Sequence, residues 1–141
     1  MENVGLFLVP VQHVETLWTQ VIPHLLKGEK HWKEFYSIEQ IGRNLSLGLQ
    51  RLWVMLEDNK KILGIVLTQV DQYPETKAVR ILYLGGTGFK RSMFEGGLTK
   101  LEAWAKKNGA TVIDILGRDE WFPLIKEYGY ASPGRVYRKE I

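Results

Sequence analysis

The stretch YLGGTGFKRSMFEGGL, Tyr83 to Leu98, gathers five of the chain's fourteen glycines and two adjacent cations, Lys90 and Arg91. It lies between a short apolar run and a run of helical spacing. A strand that passes through glycines into a helix start often holds phosphate, because glycine lets the backbone come close and the first N–H groups of a helix lack partners. Phe89, Lys90, Arg91, Ser92 and Met93 are the candidates for such a cradle. Two cations beside a loop also fit an ordinary solvated surface. Gly85, Gly86 and Gly88 mark either a bulge that splays the strand end or a tight turn.

Groups able to move protons lie elsewhere. His31 stands in HWKEFY with Trp32, Phe35 and Tyr36; an imidazole of ordinary pKa ~6.5 among aromatic rings can take a proton from a bound acceptor. Aromatics beside a helix start more often simply pack. Asp114, inside VIDI, is a candidate general base if burial raises its pKa, although a carboxylate there more often faces outward. His13 and His24 have no metal-ligand spacing, so no metal is expected. The chain has no cysteine, which removes disulfides, thiolate ligands and a cysteine nucleophile. It contains neither a Ser-His-Asp order nor a GxxxxGK[ST] loop.

With 141 residues, 45% apolar and 25% charged, the chain reads as one globular domain, 1–141. Its net charge of +3 and pI of about 9.1 come from cations interspersed with acids, so a nucleic-acid partner is not expected. The apolar run near the amino terminus is too short for a signal peptide or membrane span, and a cytoplasmic protein with no membrane contact is the default expectation.

The elements that must position these residues follow from periodicity. Val4 to Val9 reads as a strand closed by Pro10. Val14, Trp18, Val21 and Leu25 share one face of a helix over 12–26, which Pro23 should kink, end or split in two. Ser37 with Gln40 three residues on makes a capping box for a helix over 38–47. Arg51 to Glu57 and Ile62 to Val70 read as an antiparallel hairpin joined at DNKK. Ala78 to Leu84 is a strand apolar on both faces, Val79, Ile81 and Tyr83 on one and Arg80, Leu82 and Leu84 on the other, hence central in the sheet. Phe94, Leu98, Leu101 and Ala105 form the buried stripe of the best-marked helix, with the Phe94 ring expected in the core. Asn108-Gly109 ends that helix. ATVIDIL is then a buried strand, parallel to the one before the helix through a right-handed crossover. A last helix capped by Asp119 carries Trp121, Leu124, Ile125 and Tyr128 and stops at Gly129, and a closing strand spans Val136 to Lys139.

This element order resembles the GNAT superfamily of acyl-CoA N-acyltransferases. LTKLEAWAKKNGATVIDIL is similar to that family's LLxxLxxWAxxxGxxxIxL, and FPLIKEYGYASPGRVYRKEI to its closing LYxKxGFxxxxxxYxKxL. The resemblance implies a GNAT-like α/β fold: a mixed, mostly antiparallel sheet flanked by helices on both faces. It implies an acyl group moved from acetyl-CoA or another acyl-CoA to an amine acceptor, a small molecule or a protein. The strand end Leu84, Gly85 and Gly86 would hold the pantetheine arm, and the amides of Phe89 to Met93 the pyrophosphate. Two positions depart from the family pattern. One alignment puts Phe89, Ser92 and Phe94 where the family has Gln or Arg, Gly, and Gly or Ala; another leaves Phe94 at a glycine position still. The family's proton-donating Tyr, four residues before the closing Gly, is here Ile125, so Tyr128 is the nearest phenol, and its spacing also suits core. The alternative is a non-catalytic module of the same fold, structural or protein-binding, similar to acetyltransferase-like proteins of tailed bacteriophages, some of them associated with the virion.

Overall fold

The computed structural model describes residues 4–86, 91–116, 122–134 and 137–141, with only the backbone of 91–95. Five strands form one sheet in chain order: β1 (Val4–Leu8), β2 (Arg51–Glu57), β3 (Lys61–Gln72), β4 (Lys77–Gly86) and β5 (Val112–Ile115). The first four pair antiparallel, while β5 runs parallel to β4, with Ala78 opposite Val112 and Ile81 opposite Ile115. The expected hairpin and the expected parallel crossover both form. Asp58 and Asn59, at φ 52° and 60°, make the tight β2–β3 connection, in the left-handed region that Asn and Asp tolerate best after glycine.

Helices cover both faces. On one lie α1 (Val14–Lys27), the four-residue α2 (Glu29–Trp32) and α3 (Ile38–Ser46). Val21, Leu25, Ile41 and Leu45 there pack on Leu52, Val54, Ile65, Leu67 and Tyr83. On the other, α4 (Arg91–Lys107) lays Leu98 and Leu101 over Leu6, Trp53, Met55, Val66 and Ile81. Trp53 is fixed there by its indole N–H donating to Thr68 Oγ1 at 3.1 Å and by an edge-on contact with Trp104 at 5.3 Å. An edge-on aromatic pair of this kind adds on the order of 0.5–1.5 kcal/mol beyond the area it covers. The short α5 (Phe122–Ile125) leads into a 3-10 turn, Lys126–Tyr128, which Gly129 ends at φ 91°.

Four expectations change. Helix α1 runs unbroken through Pro23: the ring lies on the solvent side, and burial of Val21 and Leu25 offsets the one hydrogen bond that proline removes. The α2 turn had no spacing by which to be read. Tyr83 does not share a face with Val79 and Ile81. The β3–β4 ladder jumps from Leu67 opposite Tyr83 to Thr68 opposite Ile81, so Leu82 is an extra residue, and a bulge inverts the alternation beyond it. Ile81 therefore faces α4 while Leu82 and Tyr83 face α1. Finally, no strand forms in 137–141; instead Arg138 reaches back to Glu34 at 2.6 Å, and among the described residues no ladder partner holds the tail extended. Asp119, Trp121 and Val136 fall outside the described residues, as does the Phe94 side chain.

Candidate functional site

The bulge at Leu82 divides β4 in two. Up to Ile81 the strand is paired on both edges, and Leu116 N–H adds a last bond to Ile81 C=O at 3.0 Å. From Leu82 to Gly86 the β3 edge stays paired, ending with Gly64 opposite Gly86, while among the described residues no strand pairs the β5 edge. Backbone groups of a strand that leaves its neighbour need other partners. The opening sits where β4 ends and, four undescribed residues later, α4 begins at Arg91.

Leu84, Gly85 and Gly86 are thus consecutive along the open half of β4. Arg91, Ser92 and Met93 form the first turn of α4, whose N–H groups have no partner within the helix. Phe89 and Lys90 lie outside the described residues. The described members of the sequence-derived cofactor set thus lie at the end of β4 and in the first turn of α4.

The three proton-transfer candidates are not brought together. His31 is exposed in α2, on the α1 side of the sheet. β5 is not the buried strand expected: Ile113 and Ile115 turn toward α4 and are half-buried, while Val112, Asp114 and Leu116 turn away and are exposed, so the burial that a general-base role for Asp114 requires is absent. Tyr128 is half-buried on the α4 side against the Trp53 cluster. The sheet stands between Tyr128 and the other two.

The wall on the α1 side is built from the carboxyl end of α1. Two of that helix's last carbonyls are capped by aromatic donors: Tyr83 Oη donates to His24 O at 2.9 Å, and Trp32 Nε1 to Leu25 O at 3.0 Å. These bonds satisfy groups that a helix end otherwise leaves to water. Trp32 is buried, whereas Phe35 is exposed beneath the Arg138 guanidinium, 4.9 Å from the ring centroid. Neither Tyr83 nor Gly28 was singled out as a site residue from sequence; their signal, a Tyr two residues before Gly85 and a Gly just after a helix, has meaning only once the two elements meet. Tyr130 was missed too. It is half-buried, donates weakly to Glu102 Oε1 at 3.5 Å, and has its phenol pKa pushed up by burial and then by Glu102. A separate open groove of about 670 Å³ lies between α4 and β5, lined by Thr99, Glu102, Lys106, Thr111 and Ile113. It sits toward the amino end of β5, away from the opening in β4. Among the described residues no three His, Asp or Glu side chains gather as a metal site, and no helix is long and apolar enough to cross a membrane.

No protein-family model matches the chain, and no curated protein matches it by sequence. Solved structures do. The chain is similar to a GCN5-related N-acetyltransferase from Ralstonia eutropha, with 17% identity, 99% of each chain covered and a TM-score of 0.71. It is similar to a predicted acetyltransferase from Clostridium acetobutylicum solved with acetyl-CoA, at 16% identity, 99% and 96% coverage and a TM-score of 0.68. A third likeness is to an aminoglycoside acetyltransferase from an uncultured soil sample in complex with sisomicin, at 15% identity, 98% and 95% coverage and a TM-score of 0.67. At these identities the likeness is one of fold: the chain has the GNAT fold. None of it bears on a bacteriophage origin.

Proposed function

We propose that the protein is an N-acyltransferase that moves an acetyl or other acyl group from acyl-CoA to an amine. The observation that carries this reading is the half-paired end of β4, Leu82 to Gly86, which opens toward the start of α4. An extended pantetheine arm carries amide groups at peptide-like spacing and can pair with the free strand edge at Leu84, Gly85 and Gly86. Its pyrophosphate would then meet Phe89, Lys90 and the Arg91–Met93 amides, where the helix's partial positive charge favours an anion. The fold's likeness to a structure solved with acetyl-CoA supports acyl-CoA as the co-substrate.

The transfer is a direct attack. The amine nitrogen forms a bond to the thioester carbonyl carbon, the carbon–sulfur bond breaks, the nitrogen gives up a proton and the thiolate takes one. Tyr128 is our candidate donor to the thiolate. His31 and Asp114 are the candidate acceptors of the amine proton; they lie across the sheet from Tyr128, so they and Tyr128 are alternatives at the reacting centre, and the other proton exchanges with solvent. The amine itself is a small molecule, as with the sisomicin-bound neighbour, or a protein amino group. A cytoplasmic location suits the co-substrate.

Acetyl-CoA is the direct test. At 100 times its Kd a ligand stabilises the fold by about 2.7 kcal/mol, a rise of several degrees in Tm. No shift at millimolar acetyl-CoA overturns the proposal. The departures at Ser92, Phe94 and Ile125 favour one second reading, the non-catalytic module of the kind bacteriophages encode. Absence of both a thermal shift by acetyl-CoA and acetyl transfer to a panel of aminoglycosides, polyamines and peptides would favour that reading, a module that has kept the fold and lost the cofactor.

A further inference from the structure

Tyr83 is 6% exposed and lies between two glycines from distant parts of the chain. A Cβ on Gly28, at the α1–α2 junction, would come within 2.5 Å of both the Tyr83 hydroxyl and a ring carbon, and so would a Cβ on Gly85, at the strand end. Real Cβ atoms do not approach that closely, and a buried ring in a close-packed core has nowhere to retreat. Backbone conformation is not why glycine stands at either place. Gly28 has φ −112° and ψ 21°, and Gly85 is not among the positive-φ residues. Both are glycine because the ring occupies the space a side chain would need.

The bulge produces this arrangement. By inverting the alternation at Leu82 it turns Tyr83 toward α1, leaning along the strand over Gly85, while its hydroxyl caps the His24 carbonyl. The α1–α2 junction is thereby seated on the end of β4 through the thickness of one aromatic ring. In the proposed function the strand end holds the acyl arm, and the segment from Gly28 to Tyr36 carries His31, a candidate acceptor of the amine proton; taken with its aromatic residues, that segment would be the wall facing the acceptor.

We infer that Tyr83 is a positioning residue, a spacer whose ring sets the distance between the acceptor wall and the acyl-carrying strand end. It touches neither substrate and acts through the two glycines. Reacting atoms must be held near 3–3.5 Å, and a misplacement of about 1 Å can cost roughly 100-fold in rate, so such a spacer matters to transfer more than to acyl-CoA affinity.

The inference rests on the acyltransferase reading, and its test has one arm that does not. In the unliganded protein, Gly28→Ala should lower Tm by roughly 5 °C or more, while Gly28→Ala with Tyr83→Leu should lose clearly less than the sum of the two single changes. Additive losses overturn the spacer whether or not acyl-CoA binds. In the second arm, amide hydrogen exchange is followed with acetyl-CoA as the probe. Wild type should gain protection both at the strand end and across the ring from Gly28 to Tyr36. Tyr83→Phe, which keeps the ring and loses the hydroxyl, should retain that coupling, and Tyr83→Ala should still bind acetyl-CoA but lose the protection over 28–36. Coupling that survives in Tyr83→Ala, or vanishes in Tyr83→Phe, overturns the inference. If Tyr83→Ala does not fold, Tyr83→Leu replaces it with the same expected loss. Should acetyl-CoA fail to bind wild type, it is the proposed function that falls, and the first arm still decides the spacer.

Discussion

His24 illustrates how a single group couples this fold to pH. Its Nδ1 is buried and has no hydrogen-bond partner among the described residues. Burial, and then the Lys27 charge, push its pKa below the ordinary 6.5, while a hydrogen bond to the Ile62 backbone pulls the other way. The folded protein therefore resists protonating this imidazole more than the unfolded chain does. The linkage has a definite sign. The contribution of neutral His24 is fully present above pH 6.5 and declines as pH falls from 6.5 toward the depressed folded value. Tm should accordingly drop between pH 7 and pH 5.5, and in His24→Gln the same drop should be shallower. A variant whose pH profile parallels wild type would show that other groups carry the dependence.

Residues 137–141 are all exposed, so packing does little to hold the carboxyl-terminal tail against the other elements. Arg138 forms an ion pair with Glu34 and stacks on Phe35, and both charged side chains are about half exposed. Exposed pairs of this kind are worth about 0–1 kcal/mol and weaken with salt. Tyr137 and Ile141, on either side, are exposed. Glu34→Gln should consequently leave Tm within about 2 °C of wild type, yet make the tail markedly easier to cut by trypsin after Lys139. Raising salt to roughly 0.5 M should accelerate the same cleavage in wild type, since screening then acts over less than the pair's surroundings. Equal cleavage rates in both proteins would mean that the tail is held by something other than Arg138. By contrast, α3 carries its own start: Ser37 Oγ accepts from Gln40 N–H at 3.1 Å, and the Gln40 side chain answers to the Ser37 N–H at 3.3 Å.

For the whole molecule, the decisive feature is one inserted residue. Leu82 interrupts the β3–β4 ladder, and it is there that β5 ceases to follow β4. Deleting Leu82 would restore simple alternation: Val79 and Ile81 would still face α4, Tyr83 would still face α1, and Leu84 would still face α4. The core would thus survive with the loss of one half-buried side chain, a cost of about 1.5–3 kcal/mol at most from burial. The strand would straighten and its pairing with β5 would extend, closing the opening. The expected outcome is a folded protein with native-like circular dichroism whose Tm no longer responds to acetyl-CoA. A deletion variant that folds and keeps the full thermal shift would separate the opening from ligand binding.

The sequence by itself determined whatever depends on a few neighbouring residues. The capping box at Ser37 and Gln40, the bounds of β2, the Asp58-Asn59 turn, the Leu98–Leu101–Ala105 stripe and the Asn108-Gly109 helix end are all local periodicities or caps, complete within one or two turns of chain. The strand, helix, strand order also fixed the parallel pairing of β4 and β5, because a crossover helix permits one hand. Only the tertiary structure decided the rest. Which face Tyr83 takes depends on a bulge, and a bulge is defined by the partner strand's register. Whether α1 survives Pro23 depends on how much burial α1 finds against the sheet. Why Gly28 and Gly85 are glycines depends on a ring contributed by a strand 55 residues after the first of them and just before the second. And the tail that alternates like a strand runs to Glu34, because a strand is made by the neighbour that accepts its hydrogen bonds and not by its own pattern.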